Sequence, residues 1–191
     1  TRFSSTRLKS GLNALMLTTA LLASSIVTAQ AATEASNMHE SWNTLLNQNV
    51  VAINNGHSTA VDYAAMKKQY SELKVYLDTL SVVTQSEFDS WEKSKQLAFL
   101  INAYNAWTVD LIVTNYPGID SIKDLGSFFS SPWSKKFVSL LGEKRSLDNL
   151  EHDLIRGAVD SEGKAVYPDH RIHFAVNCAS IGCPALREEA Y

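Results

Sequence analysis

Residues 90–114 read SWEKSKQLAFLINAYNAWTVDLIVT, and this stretch decides the fold because it predicts the longest helix of the chain. Its apolar residues recur every three or four positions, as they do on one face of a helix. The sequence NYPG at residues 115–118 predicts where this helix ends. The predicted buried stripe comprises Leu97, Leu100, Ile101, Tyr104, Thr108, Leu111 and Ile112.

Two asparagines, Asn102 and Asn105, lie three residues apart within this apolar helix and therefore near one face of it. A buried amide without hydrogen-bond partners costs about 1–3 kcal/mol, so both side chains are expected to have partners. Either each amide binds the backbone of a loop, or the pair orients a catalytic side chain or binds substrate.

The remaining periodic segments predict the fold class. Helices are predicted over residues 37–54, 64–80 and about 147–158, the last with Ser146 as its N-cap. Short strands are predicted near residues 61–63, 137–142 and 171–177. Because helices dominate the first two-thirds and the strands do not alternate with them, the sequence predicts an α+β fold with helices packed on one small, mostly antiparallel sheet.

The first 31 residues have the pattern of a signal peptide. Arg2, Arg7 and Lys9 precede an apolar segment at 12–27, and the sequence AQA at 29–31 matches the small residues before a cleavage site. No later segment is predicted to cross a bilayer. We therefore expect an exported protein, periplasmic or extracellular, divided into a signal peptide (1–31), an N-terminal helical segment (32–60) and a domain (61–191). The domain is expected to be incomplete at its C-terminus, because its last helical pattern has no cap.

The overall composition excludes some classes of protein. The chain has 191 residues, of which 45% are hydrophobic, and a net charge of −3, as in a globular domain. No basic run predicts a nucleic-acid partner. We expect a small-molecule or peptide ligand and no cofactor.

Residues 171–184 read RIHFAVNCASIGCP and contain both cysteines of the chain. The alternation of Ile172, Phe174 and Val176 predicts a strand, with His173 and Asn177 on its other face. The small residues after Cys178 predict a tight turn or a helix start, whose free N–H groups favour a thiolate or an anion. A short helix is predicted to follow over residues 185–191.

One interpretation of this stretch is a thiol enzyme that catalyses acyl transfer or hydrolysis of an amide or thioester. Cys178 is then the nucleophile, with His152 as its base and Glu151 beside it. His173 is a poorer base, because five residues of strand separate it from Cys178 by about 16 Å. Residues predicted to bind substrate, or to orient the catalytic groups, are Asn102, Asn105, Arg171, His173, Asn177 and Ser180.

The other interpretation is a disulfide between Cys178 and Cys183. Exported chains keep disulfides, and the four intervening residues can close a small bridge. The protein would then be a non-catalytic binding domain. No metal site is predicted, because the histidines and cysteines lack the close paired spacing of a zinc site.

Three segments together resemble the DUF547 family, a domain of unknown function: AFLINAYNA at 98–106, SLDNLEH at 146–152, and residues 171–184. The resemblance covers about residues 61–191 and implies no activity. The domain also resembles, by analogy only, the papain/transglutaminase-like thiol enzymes.

Overall fold

The structure of the chain is a computed structural model, which describes residues 38–180 and 182–191. The predicted signal peptide, residues 1–31, lies outside the described residues, as do residues 32–37 of the predicted N-terminal helical segment. Residues Met38–Tyr191 form one compact unit around a hydrophobic core.

Helices make up most of the secondary structure. They are α1 (Glu40–Asn49), α2 (Tyr63–Lys68), α3 (Tyr70–Ser81), α4 (Gln85–Asp89), α5 (Lys93–Asn115) and a π-helix (Asn149–Arg156). The helix predicted over 64–80 is therefore two helices, α2 and α3, which meet at Gln69. Turns of 3-10 helix lie at Asn54–Gly56, Ile122–Leu125, Pro132–Ser134 and His170–Phe174.

The strands of the described residues form two antiparallel hairpins. They are β1 (Val50–Ile53), β2 (Ser58–Val61), β3 (Val138–Leu140) and β4 (Glu143–Arg145). Val50 lies opposite Val61 in the first hairpin, and Val138 lies opposite Arg145 in the second. The predicted α+β class is confirmed, although the described strands form two separate two-stranded sheets rather than one.

Helix α5 is the centre of the core. It is buried without interruption from Phe99 to Asp110, well beyond the predicted stripe, of which Leu97 and Leu111 are only half-buried. The helix packs against α2, α3 and the π-helix. It is long and apolar enough to span a membrane, with a mean hydropathy of 1.3, but 78% of its most apolar window is buried inside the protein. Such burial is typical of a core helix.

The helical segment that contains the π-helix begins at Leu147, as the sequence predicts. The Ser146 hydroxyl accepts a hydrogen bond from the N–H of Asn149 at 3.1 Å, which confirms Ser146 as the N-cap. Leu150 and Ile155 are buried as expected. A Cβ at Gly157 would lie 2.3 Å from the carbonyl oxygen of His152, so the wide turn that ends this helix requires glycine.

The predicted helix over residues 37–54 is wrong in its last five residues. Helix α1 ends at Asn49, and β1 follows directly. Asn54, Asn55 and Gly56 have φ angles of 51°, 56° and 84°, a left-handed run that turns the chain back into β2. The residues predicted to stop a helix therefore form a hairpin turn.

The strand predicted at 171–177 is also wrong. The side chain of Asp169 accepts a hydrogen bond from the N–H of Arg171 at 2.9 Å and thereby starts the 3-10 turn His170–Phe174. Ile172 and Val176 are buried, but Phe174 is 66% exposed, so the buried residues are spaced by four and not by two. No helix forms in the described residues 185–191, where one is also predicted.

Candidate functional site

The two cysteines form a disulfide, and the loop that it closes, residues 177–184, is held by hydrogen bonds as well. The Cα atoms of Cys178 and Cys183 are 6.1 Å apart. The Asn177 side chain accepts a hydrogen bond from the N–H of Ala179 at 2.9 Å and donates one to the carbonyl of Pro184 at 2.6 Å. We call this segment the disulfide loop. The disulfide and the hydrogen bonds of the Asn177 side chain both hold the two ends of this loop together.

Asn105 connects the disulfide loop to the core. Its side-chain nitrogen donates to the carbonyl of Ala175 at 3.0 Å, and its oxygen accepts from the N–H of Asn177 at 2.8 Å. The Asn105 side chain is buried in α5, so it holds the entry of the loop against this helix. Both polar groups of the amide are therefore used by backbone.

Asn102 makes the same kind of contact with the last residue of the sequence. Its side chain donates to the carbonyl of Tyr191 at 2.9 Å and accepts from the N–H of Tyr191 at 3.0 Å. Two amides, three residues apart on α5, thus hold two separate parts of residues 175–191. The contacts correspond to the first of the two alternatives for these asparagines, in which they bind loop backbone.

A cleft of about 570 Å³ separates the disulfide loop from the first hairpin. One wall is β2 with His57 and Tyr63, and the other wall includes Ser180 and residues 182–186. The Thr59 hydroxyl donates to the carbonyl of Leu186 at 2.7 Å and so connects the two walls. We call this space the hairpin cleft.

His57 and Tyr63 are the titratable side chains described in the lining of the hairpin cleft. Among the described residues, no Asp, Glu, Lys or Arg lines it. Burial raises the pKa of the Tyr63 phenol to about 12, so the phenol keeps its proton at neutral pH. Hydrogen-bonding side chains alternate with apolar ones, including Ile53, Val61 and Leu186. Such a lining favours an uncharged ligand with hydrogen-bonding groups.

The predicted base His152 and its neighbour Glu151 lie elsewhere. His152 is exposed and lines a different pocket, of about 370 Å³, which shares no described lining residue with the hairpin cleft. Glu151 accepts a hydrogen bond from the Tyr104 hydroxyl at 3.0 Å and pairs with Arg156 at 3.2 Å. Burial, together with the Glu151 carboxylate, raises the pKa of Tyr104. The geometry therefore separates these two residues from the disulfide.

The other predicted site residues divide between cleft and surface. Asn177 and Ser180 line the hairpin cleft, whereas Arg171 and His173 do not. Arg171 forms a forked ion pair with Asp169, with Nη2 and Oδ2 2.6 Å apart, and this pair lowers the pKa of Asp169. The exposed His173 ring packs edge-on against Phe174. Arg171 and His173 thus make local surface contacts.

Sequence reasoning missed His57 and Thr59, which lie across the cleft from the disulfide loop. The signal that could have revealed them is the dipeptide Asn55-Gly56, which is typical of tight hairpin turns. The described residues contain no cluster of three His, Cys, Asp or Glu side chains that could hold a metal ion.

These features define an α+β domain whose disulfide-closed loop is fastened to a buried core helix. The family described as "Protein of unknown function, DUF547" matches residues 88–191, which is more than half of the chain. The chain therefore belongs to the DUF547 family, as the sequence motifs predict. The match includes α5 and the disulfide loop, whereas the first hairpin precedes it.

No curated protein and no solved structure matches the chain. The likeness to papain/transglutaminase-like enzymes therefore stays a prediction.

Proposed function

We propose that the protein is an exported, non-catalytic binding domain that holds an extended peptide in the hairpin cleft. The observation that carries this proposal is the Cys178–Cys183 disulfide. It removes the thiolate that a cysteine enzyme needs, and it fixes the loop that forms one wall of the cleft. A loop that is already ordered loses less conformational entropy when a ligand binds, so the same bond that disfavours catalysis favours binding.

The free edge of β2 is the reason to propose an extended peptide as the ligand. All four of its residues line the cleft, and in the described chain no backbone hydrogen bond joins β2 to a segment beyond the first hairpin. A strand with one partner leaves alternate N–H and C=O groups available for an added strand. An extended peptide satisfies these groups by pairing with the strand edge. The neutral lining of the cleft suits uncharged side chains on that peptide.

Peptide selection tests the proposal. A phage-displayed library of linear peptides is selected on the chain that begins at Ala32, and the affinity of the selected peptides is measured by fluorescence polarisation. Ser180→Trp fills the cleft and is expected to abolish binding, whereas the matched control Ser86→Trp, at an exposed position on α4, leaves it unchanged. His57→Ala is expected to weaken binding about tenfold through the loss of one ligand contact.

The outcomes separate the alternatives. Peptides that bind the wild type and Ser180→Trp equally would place the site outside the hairpin cleft. A second outcome is that no peptide is selected, that neutral oligosaccharides bind, and that Ser180→Trp blocks their binding. This outcome would keep the hairpin cleft as the binding site but would contradict a peptide as its ligand.

Thiol titration separates this proposal from the thiol enzyme. Since the chain has two cysteines, we expect no reactive thiol without reductant and two after reduction. A thiol that reacts well below pH 8.5 in the untreated protein would contradict the binding domain and support Cys178 as a nucleophile. Replacing both cysteines by serine is expected to lower the free energy of unfolding by about 2 kcal/mol, because the closed loop is short.

Export is tested by expression of the full chain in a bacterial host. We expect cleavage after Ala31 and recovery of a protein beginning at Ala32 from the periplasm or medium. N-terminal sequencing checks the cleavage site, and Ala31→Glu serves as the uncleaved control. Recovery of the uncleaved wild-type chain from the cytoplasm would contradict export.

A further inference from the structure

A short turn at residues 127–130 carries two exposed phenylalanines that the binding proposal does not use. The N–H of Ser127 donates to the carbonyl of Ser130 at 2.9 Å, and the N–H of Ser130 donates back at 3.3 Å. The two hydroxyls are 2.9 Å apart and close the turn further. Phe128 and Phe129 are its two central residues, and they are 96% and 93% exposed. We call this turn the aromatic tip.

The aromatic tip stands on an ordered base. The two 3-10 turns Ile122–Leu125 and Pro132–Ser134 pack together on either side of it, and Ile122 and Pro132 are buried. Ser121 and Asp124 cap the first of these turns reciprocally. The phenylalanine rings contact each other edge-to-face, with centroids 5.0 Å apart. Two large apolar rings are therefore presented together by a fastened turn.

The charges around the tip identify the kind of surface that it fits. The exposed lysines Lys123, Lys135 and Lys136 flank it, and the Lys135 ammonium binds the carbonyl of Leu125 at its base. The nearby carboxylates are Asp120 and Asp124, and Asp124 already accepts the N–H groups of Asp120 and Ser121. With three lysines and two aspartates, the segment 120–136 has a net charge of +1, whereas the whole chain has a net charge of −3.

We propose that the aromatic tip inserts Phe128 and Phe129 into the interface of a lipid bilayer that carries anionic headgroups. Apolar rings at a convex tip enter the headgroup region without needing a complementary pocket. The flanking lysines then face the negative surface, which attracts basic residues close to it. The protein docks peripherally in this arrangement, and the hairpin cleft stays on a separate part of the chain.

Vesicle co-sedimentation tests the proposal. The probes are vesicles of phosphatidylcholine mixed with phosphatidylglycerol, and vesicles of phosphatidylcholine alone. Each variant is compared with the wild type in the full chain and in the chain that begins at Ala32, because the apolar segment at 12–27 would itself bind lipid. Melting curves establish that the variants fold, which is expected since both rings are exposed.

The double variant Phe128→Ser/Phe129→Ser is expected to lower the partition coefficient at least tenfold on mixed vesicles. The matched control Phe174→Ser removes a phenylalanine that is 66% exposed elsewhere and is expected to change it less than about twofold. Lys123→Gln/Lys136→Gln, which keeps the Lys135 contact at the base of the tip, is expected to lower binding to mixed vesicles about fivefold or more and to leave phosphatidylcholine binding unchanged.

Three results would overturn the proposal. The first is that the wild type and the Phe128→Ser/Phe129→Ser variant bind mixed vesicles equally. The second is that Phe174→Ser lowers vesicle binding as much as the double variant does. The third is that the wild type does not sediment with either kind of vesicle. In the third case, analytical ultracentrifugation identifies another role. If the wild type dimerises and the double variant stays monomeric, the aromatic tip is a contact between copies of the chain.

Discussion

Helix α5 and residues 157–191 are held in place by different forces. The helix is buried on almost every side by apolar neighbours. In residues 157–191 only Ile172, Val176 and Leu186 are buried among the described positions. The backbone of this second region is fixed instead by side-chain amides on α5, by the disulfide and by local turns. The contrast teaches that an irregular segment can be positioned by a few directed hydrogen bonds once one helix has been fixed by packing.

The largest effect is expected from a cavity on α5. Phe99→Ala removes a fully buried ring that contacts Phe88 and Trp91, and should lower the free energy of unfolding by about 3–5 kcal/mol. Urea denaturation followed by circular dichroism measures this loss. Phe174→Ala, in the second region, should cost less than about 0.5 kcal/mol because its ring is exposed. Similar losses in the two variants would remove the distinction between the regions.

A smaller and more local effect is expected from the link between the regions. Asn105→Leu leaves the carbonyl of Ala175 and the N–H of Asn177 without their partner, at a cost of about 2–4 kcal/mol. Hydrogen exchange should accelerate in residues 175–186 more than in α3. Asn115→Leu is the matched control, since its amide binds only at the exposed end of the same helix. Uniform acceleration across the whole domain would mean that Asn105 stabilises the core and not the loop.

The smallest effect depends on pH and should involve the core alone. His39 lies against Tyr76, 2.7 Å from its hydroxyl, and burial with the nearby Lys95 lowers the pKa of His39 to about 4. Between pH 6.5 and 4 the unfolded chain binds a proton at this histidine and the folded chain does not. Stability that is present above pH 6.5 is therefore lost as the pH falls, by about 2–3 kcal/mol at pH 4.

His39→Gln isolates this contribution from that of the carboxylates. The difference in unfolding free energy between the wild type and this variant should change across pH 6.5 to 4. It should stay constant above pH 7. A difference that is independent of pH would show that the pKa of His39 is the same in the folded and the unfolded chain.

The sequence predicts the packed region well and the irregular region poorly. Long apolar periodicity fixes α5, and a local cap at Ser146 fixes the start of the helical segment that leads into the π-helix, because both signals lie within a few residues of the structure that they specify. The alternation at Ile172, Phe174 and Val176 misleads, since the side chain of Asp169 competes for the local backbone and starts a 3-10 turn.

The candidate site was predictable only in part. Both walls of the hairpin cleft contain residues from distant parts of the chain, and the Thr59 bond to Leu186 spans 127 positions. No local pattern encodes that contact. The sequence indicates Asn177 and Ser180 because they lie close to the cysteines. His57 could be predicted only from the first hairpin, and the helical spacing of the preceding residues predicted a helix there instead.

The buried polar residues of α5 have a further consequence under the proposal that this is an exported chain. Such a chain crosses the membrane unfolded, and α5 is long and apolar enough to leave the translocation channel sideways into lipid. An Asp at the centre of a helix opposes that escape by about 2.5–3.5 kcal/mol on the insertion scale, and one nearer the end, such as Asp110, opposes it by less. Under the proposed export, Asp110, with Asn105 and Asn102 about one and two turns before it, would favour passage through the channel over arrest in the bilayer. Under the proposed export, residues that organise the folded domain would also help the nascent chain to reach the compartment where its disulfide can form.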